Sequence, residues 1–259
     1  MTTQLALSFT SGIMISSLAA YLGTLMLSKR MSVVAGPIAH LAFPGVALAI
    51  VYGFNLAWGV FPFVLIGALL IWILERKTKL PMENLSAVIF AVGVGSSLLF
   101  LPIGEAEEAL VGNIMHITPT ETAMIIILSL ITFFLINKIY NTIMLINIHG
   151  DLVKVDKKNI SIYNLSYLLA IAIVVALGVY LVGGLITVAL IAIPAGTSRN
   201  ISKSLCRYKF AAIFFGILGT IAGIILSLVL HLPTGPMIII SGAFLFLISL
   251  IFQQRQNLG

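Results

Sequence analysis

"VAGPIAHLAFPGVALA", residues 34–49, lies inside an apolar run from 32 to 53 and carries a single ionisable side chain, His40. Pro37 stands three residues before it and Pro44 four residues after. A run of about 20 apolar residues is long enough to cross the hydrocarbon core of a bilayer. A helix in that core excludes ionisable groups and resists helix breakers, so the stretch reads as a membrane span that does more than anchor.

The composition outside this stretch agrees with a membrane solvent. The 259 residues are 60% apolar and only 8% charged. Mean hydropathy is +1.17, far above soluble domains. Apolar runs separated by charges or turn signals fall at roughly 4–28, 32–53, 57–75, 84–102, 120–137, 163–181, 184–198, 210–231 and 236–253. The stretch "VYLVGGLITVALIAIP" reads either as one bent passage or as two short helices. The expected fold is therefore all-α, a polytopic membrane protein of about nine transmembrane helices forming one domain over residues 1–259. The N-terminal run lacks a basic leader and exceeds a signal peptide's apolar region, so it reads as a retained first span. No internal repeat or linker interrupts the chain.

The net charge of +6 is explained by where its 14 basic residues fall. Lys29 and Arg30 follow the first span; Arg76, Lys77 and Lys79 follow the third. Lys138, Lys154, Lys157 and Lys158 follow the fifth, Arg199, Lys203, Arg207 and Lys209 the seventh, and Arg255 the ninth. All share one side, which the positive-inside rule makes the cytoplasm. The N-terminus is then outside and the C-terminus cytoplasmic, in a multi-pass protein of the plasma (inner) membrane. The other side carries Glu105, Glu107 and Glu108 and no Lys or Arg. The positive charge is a topology signal, and no nucleic-acid partner is expected. The connection 137–164 is long and mixed in charge; its apolar residues, among them Leu145, Ile148, Leu152 and Val153, suit short helices against the membrane or a partner, or a solvated loop.

Few residues could carry chemistry. Cys206 is the lone cysteine, which removes intrachain disulfides and thiolate clusters. No phosphate-cradling GxxxxGK[ST], HExxH or GxSxG occurs, so neither ATP binding nor catalysis is expected of this chain. Of four histidines, His116, His149 and His231 map to span ends or loops. His40 alone lies well within a span. It is either a structural histidine satisfied by a carbonyl or a group on a substrate path, the default for an intramembrane ionisable residue. "GP" at 36–37 and "PG" at 44–45 are expected to break or bend the helix on both sides of it. Freed backbone at membrane depth is tolerated where it is buried in protein or lines a wet cavity, and transporters build sites there. Pro81 and Glu83, at the start of the fourth span, suit a helix N-terminus.

Read in order, six blocks resemble the membrane-spanning permease subunit of zinc/manganese/iron-type ABC importers. "MSVVAGPIAHLAFPGVALA" is similar to the family's Gly-Asp-x-x-x-His-x-x-x-Pro-Gly block, and "LPMENLSAVIFAVGVG" to the block before the fourth span. "ALVGNIMHITPTE" resembles the outer Leu-x-Gly-Asn-Ile loop, and "INIHGDLVKVDKKNISIYNL" the cytoplasmic ATPase-docking segment. "VGGLITVALIAIPAGTSRNIS" resembles the Val-Gly-x-Leu-x-x-x-Ala-Leu-x-x-x-Pro-Ala block, the most specific of them, and "LSLVLHLPTGPMIIISGAFLFL" the closing hairpin.

The resemblance implies a homodimer around a central path, cytoplasmic ATPase subunits that bind the ATP, and an extracytoplasmic metal-binding protein. The cargo it implies is a divalent transition metal, zinc or manganese, with no cofactor bound by this chain itself. It implies ATPase docking by about 141–162, with His149, Asp151, Leu152, Val153 and Lys154 at its centre. It implies a metal path at His40, with helix breaks at Pro37, Pro44 and Gly45. Where the family has a pathway aspartate four residues before the histidine, this chain has Gly36. Two imidazoles of a dimer without that carboxylate make a softer site, a mere filter, or a path for another cargo. The alternatives are a siderophore/cobalamin-type ABC permease, whose wider path needs no metal ligands, and an ion-coupled secondary transporter, which needs a titratable intramembrane network.

Overall fold

The structure, a computed structural model, describes residues 2–28, 35–98, 117–148 and 157–252 of the chain. Within them it is helical throughout, with no strand. The helices are α1 (Thr2–Ser28), α2 (Ala35–His40), α3 (Ala42–Tyr52), α4 (Leu56–Thr78), α5 (Met82–Leu98), α6 (Pro119–Ile148), α7 (Lys157–Val182), α8 (Gly184–Ile201), α9 (Leu205–Leu230) and α10 (Thr234–Ile251). Counting α2 and α3 as one passage, seven helices are long and apolar enough to cross a bilayer, and α5 and α8 contain shorter apolar stretches.

Local chemistry sets most helix ends. The Asn55 side chain accepts from the Ala57 N–H at 2.8 Å and starts α4, satisfying one of the orphan donors of a first turn. Thr118 and Glu121 form a capping box on α6: the Glu121 carboxylate accepts from the Thr118 N–H at 2.8 Å, and Thr118 Oγ1 accepts from the Glu121 N–H at 3.3 Å. Ser204 caps α9 by accepting from the Arg207 N–H. Glu83 stands in the first turn of α5, as expected from its charge against the helix dipole.

α7 lies at the centre. Tyr167, Leu168, Ala170, Ile171, Val174, Val175 and Leu177 are buried, and a helix that is apolar all round belongs inside a bundle. It packs against α1, α4, α6 and α8, while α1, α9 and α10 surround α8. Small residues set the closest approaches. A Cβ on Gly59 of α4 would strike the Gly45 carbonyl of α3, and one on Gly45 would strike Gly59. Lipid tails are as apolar as Leu, so helix pairs in a membrane gain by such backbone proximity rather than by hydrophobic exclusion from water.

One expectation changes here, and one open alternative is decided. The connection 137–164 is largely not a loop of short helices: α6 continues unbroken to Ile148, and α7 begins at Lys157. The reason is packing, since Tyr140, Ile143 and Met144 point into the core rather than outward. Tyr140 stacks on Tyr21 at 5.2 Å between ring centroids, shares a 2.9 Å hydrogen bond with Thr24, and carries the Lys209 ammonium 3.6 Å above its ring. At 30 residues α6 is about 45 Å long, well beyond a hydrocarbon core of about 30 Å. Second, "VYLVGGLITVALIAIP" resolves into two helices hinged at one residue, Gly183, whose φ of 95° is open to glycine. The Gly183 N–H still reaches the Val179 carbonyl, and its own carbonyl accepts from the Thr187 N–H and hydroxyl. The hinge residue itself therefore keeps both of its backbone groups paired.

Candidate functional site

His40 is the last residue of α2, and only Leu41 separates it from α3. Leu41 keeps right-handed backbone angles (φ −66°, ψ −14°), and its N–H bonds back to the Ile38 carbonyl at 3.2 Å. The interruption therefore falls between the two prolines, not at them. Pro37 and Pro44 each occupy the third position of a helix, in α2 and α3 respectively. A missing N–H costs least in a first turn, which accommodates Pro44; α2 is described from Ala35 onward. Pro44 nonetheless has no N–H to offer the carbonyl four residues back, which is that of His40. Gly45 packs its backbone against Gly59 and so acts as a contact surface for α4.

The His40 ring is half-buried and touches two aromatic rings. Phe43 of α3 and Phe90 of α5 each place a ring centroid 5.0 Å from it, tilted by 59° and 60°. Its Nδ1 is buried with no hydrogen-bond partner among the described residues. A structural histidine would be expected to spend that nitrogen on a carbonyl. The imidazole is therefore held by packing against the two rings.

Two sequence blocks about 150 residues apart meet here. A Cβ on Gly36 would lie 3.9 Å from a Val188 methyl of α8, and one on Gly184 would lie 3.6 Å from the Phe43 ring. The glycine hinge at the start of α8 thus abuts the helix pair that carries His40. Gly36 itself has no strained backbone and open room for a side chain. Phe43, Phe90 and the Gly183–Gly184 hinge were not foreseen as neighbours of His40. The Gly-Gly pair carried a signal, since it opens the most specific block; Phe90 is an ordinary apolar residue of α5 and carried none.

No group of three or more His, Cys, Asp or Glu side chains comes together among the described residues. One imidazole is a weak hold on a divalent ion, so the site within a single chain is at most part of a coordination sphere. The proposed docking residues His149, Asp151, Leu152, Val153 and Lys154 lie outside the described residues, as do Lys29, Arg30, His116, Arg255 and the outer acidic residues 105, 107 and 108.

Residues 1–253 match the family model described as the ABC 3 transport family. The chain belongs to the ABC 3 transport family. This bears out the resemblance read from the six blocks: it is a multi-pass membrane permease of the ABC class and not an enzyme. The ABC 3 chain is 28% identical over 255 residues to the "High-affinity zinc uptake system membrane protein ZnuB" of Haemophilus influenzae, covering 95% of this chain and 96% of that one. It is 21% identical over 241 residues to the "Manganese transport system membrane protein MntC" of Listeria monocytogenes, covering 92% and 86%. Among solved structures, the fold is that of "PsaBC from Streptococcus pneumoniae in complex with Fab", with a TM-score of 0.80 at 21% identity over 97% of this chain and 92% of that chain.

Proposed function

We propose that this permease carries a divalent transition metal, zinc or manganese, across the plasma (inner) membrane as a homodimer. ATP hydrolysis comes from a separate cytoplasmic ATPase, and cargo from an extracytoplasmic metal-binding protein. His40 of each copy faces the path and meets the ion through a ring nitrogen. The observation that carries this reading is the convergence of two family blocks on one imidazole whose buried nitrogen has no partner among the described residues. The relatives named for zinc and for manganese uptake support the cargo class. Gly36 removes the carboxylate expected beside His40, and the pair of imidazoles that remains suits a borderline ion with nitrogen affinity better than a hard, oxygen-seeking one.

The test is uptake of radioactive zinc and manganese by proteoliposomes holding the permease, its ATPase and the binding protein. His40→Ala should lower ATP-dependent uptake at least about tenfold, equivalent to about 1.4 kcal/mol, while the melting temperature stays near that of the parent. Normal uptake by a stably folded His40→Ala protein would overturn the pathway role. A fall in stability with uptake per folded molecule unchanged would reassign His40 to packing.

A further inference from the structure

A second feature lies away from His40, at the ends of α4, α6 and α7 opposite their basic residues. There the three helices leave a hollow of about 610 Å³. Trp58, Phe61 and Leu65 line it from α4, and Met124 and Leu128 from α6. Its polar groups are few: Asn55, Thr120, Glu121 and Tyr180. From Asn55 to Leu65 the α4 wall runs about 15 Å, at 1.5 Å per residue. The shape is an apolar slot with one carboxylate in its wall.

The carboxylate is held in place. One Glu121 oxygen accepts from the Thr118 N–H and the other from the Tyr180 hydroxyl, so α6 and α7 both position it. Both of these donors are neutral. Residues 51–58, 99–118 and 180–186 contain no Lys or Arg, and His116 is the one titratable base among them. The carboxylate is partly exposed, so a cation within reach is held by a modest attraction that salt weakens. Trp58, 78% exposed, belongs to the residue type that settles at the membrane–water boundary.

We infer that this slot binds one phospholipid whose headgroup carries a primary ammonium, a phosphatidylethanolamine. Its acyl chain lies along Phe61, Leu65 and Leu128, and its ammonium pairs with the Glu121 carboxylate. The charge complementarity selects this lipid over an anionic one, since a phosphoglycerol headgroup would bring its negative charge to the same carboxylate. The inference rests on the chain being a membrane protein and is independent of which cargo it carries.

Trp58 reports on its own neighbour. The full permease is placed in nanodiscs of phosphatidylglycerol containing a series of increasing fractions of either phosphatidylethanolamine or phosphatidylglycerol with brominated acyl chains. Bromine quenches tryptophan on contact, and the chain has only two tryptophans. Trp72→Phe leaves Trp58 alone; if that variant folds poorly, the parent signal minus that of Trp58→Phe gives the same quantity. Brominated phosphatidylethanolamine should quench at least about twofold more steeply than brominated phosphatidylglycerol. Glu121→Gln should bring the two to equal slopes while keeping a hydrogen-bonding group at that position. Equal slopes in the parent, or a preference that survives Glu121→Gln, would overturn the inference. So would the absence of quenching by either lipid, which is the result expected if a second copy of the chain fills the slot.

Discussion

Gly36 is the residue where this permease departs from the pattern that the sequence resemblance implies, and its surroundings make the departure testable. The nearest atom to a Cβ there is a Val188 methyl at 3.9 Å, ordinary van der Waals contact, and the backbone is unstrained. Gly36→Asp should therefore fold, with a melting temperature within a few degrees of the parent. It would place a carboxylate one helical turn from His40, on the same face. At 4 Å two unit charges in water interact by about 1 kcal/mol, and by several times that near protein. The variant should bind a divalent ion at least about tenfold more tightly, measured by titration calorimetry of the purified permease. Unchanged affinity in a folded Gly36→Asp protein would mean that this face of α2 does not look onto an ion path. Phe43 and Phe90 narrow the approaches to His40, since each sets a tilted ring 5.0 Å from the imidazole centroid.

At the scale of helices, backbone contact holds α3 on α4, and through α3 it holds the segment that carries His40. Gly59→Ala drives a methyl into the Gly45 carbonyl. Overpacking of this kind costs about 1–3 kcal/mol, so the variant should melt several degrees lower and lose uptake with it. Gly95→Ala is the control: nothing lies within 4 Å of its Cβ, and alanine favours a helix by about 1 kcal/mol. It should melt at or above the parent temperature; equal losses in both variants would show that the α3–α4 contact is unimportant. The other element-scale prediction concerns coupling. The segment around 145–158 mixes apolar and basic residues, and we propose that it docks on the ATPase. Leu152→Asp with Val153→Asp should leave the permease folded yet abolish co-purification of the ATPase, because burying unpaired carboxylates in an interface costs several kcal/mol. An intact complex would exclude the segment as the dock.

For the whole molecule the open quantity is the path of the chain through the bilayer. We propose nine passages with the N-terminus outside, on the ground that every Lys and Arg then faces the cytoplasm. Cys206 is a built-in probe, exposed at the start of α9 beside Arg207. A membrane-impermeant maleimide should leave it unlabelled in right-side-out vesicles and label it in inverted ones. In a Cys206→Ser background, Glu107→Cys should show the reverse, and Lys157→Cys should behave as Cys206 does. Labelling of positions 107 and 157 from the same side would contradict the single passage that the map places between them.

The all-helical membrane fold was legible because hydrocarbon imposes one local rule on every segment: each backbone group must be satisfied within its own helix, so long apolar runs can only be helices. Helix starts such as Asn55 and the Thr118–Glu121 box follow from side chains a few residues away, and the six blocks identified the family. His40 stood out because an imidazole in such a run is costly whatever surrounds it. Contacts between helices have no such local rule. The extension of α6 through Ile148 depends on Tyr140, Ile143 and Met144 finding partners in other helices. That Phe90 lies on one side of His40 depends on how α5 packs on α2 and α3. The Gly183 hinge turns α8 so that Gly184 meets Phe43, joining blocks far apart in the chain. Pairing of apolar helices in an apolar solvent is decided by shape, and shape exists only once the helices are assembled.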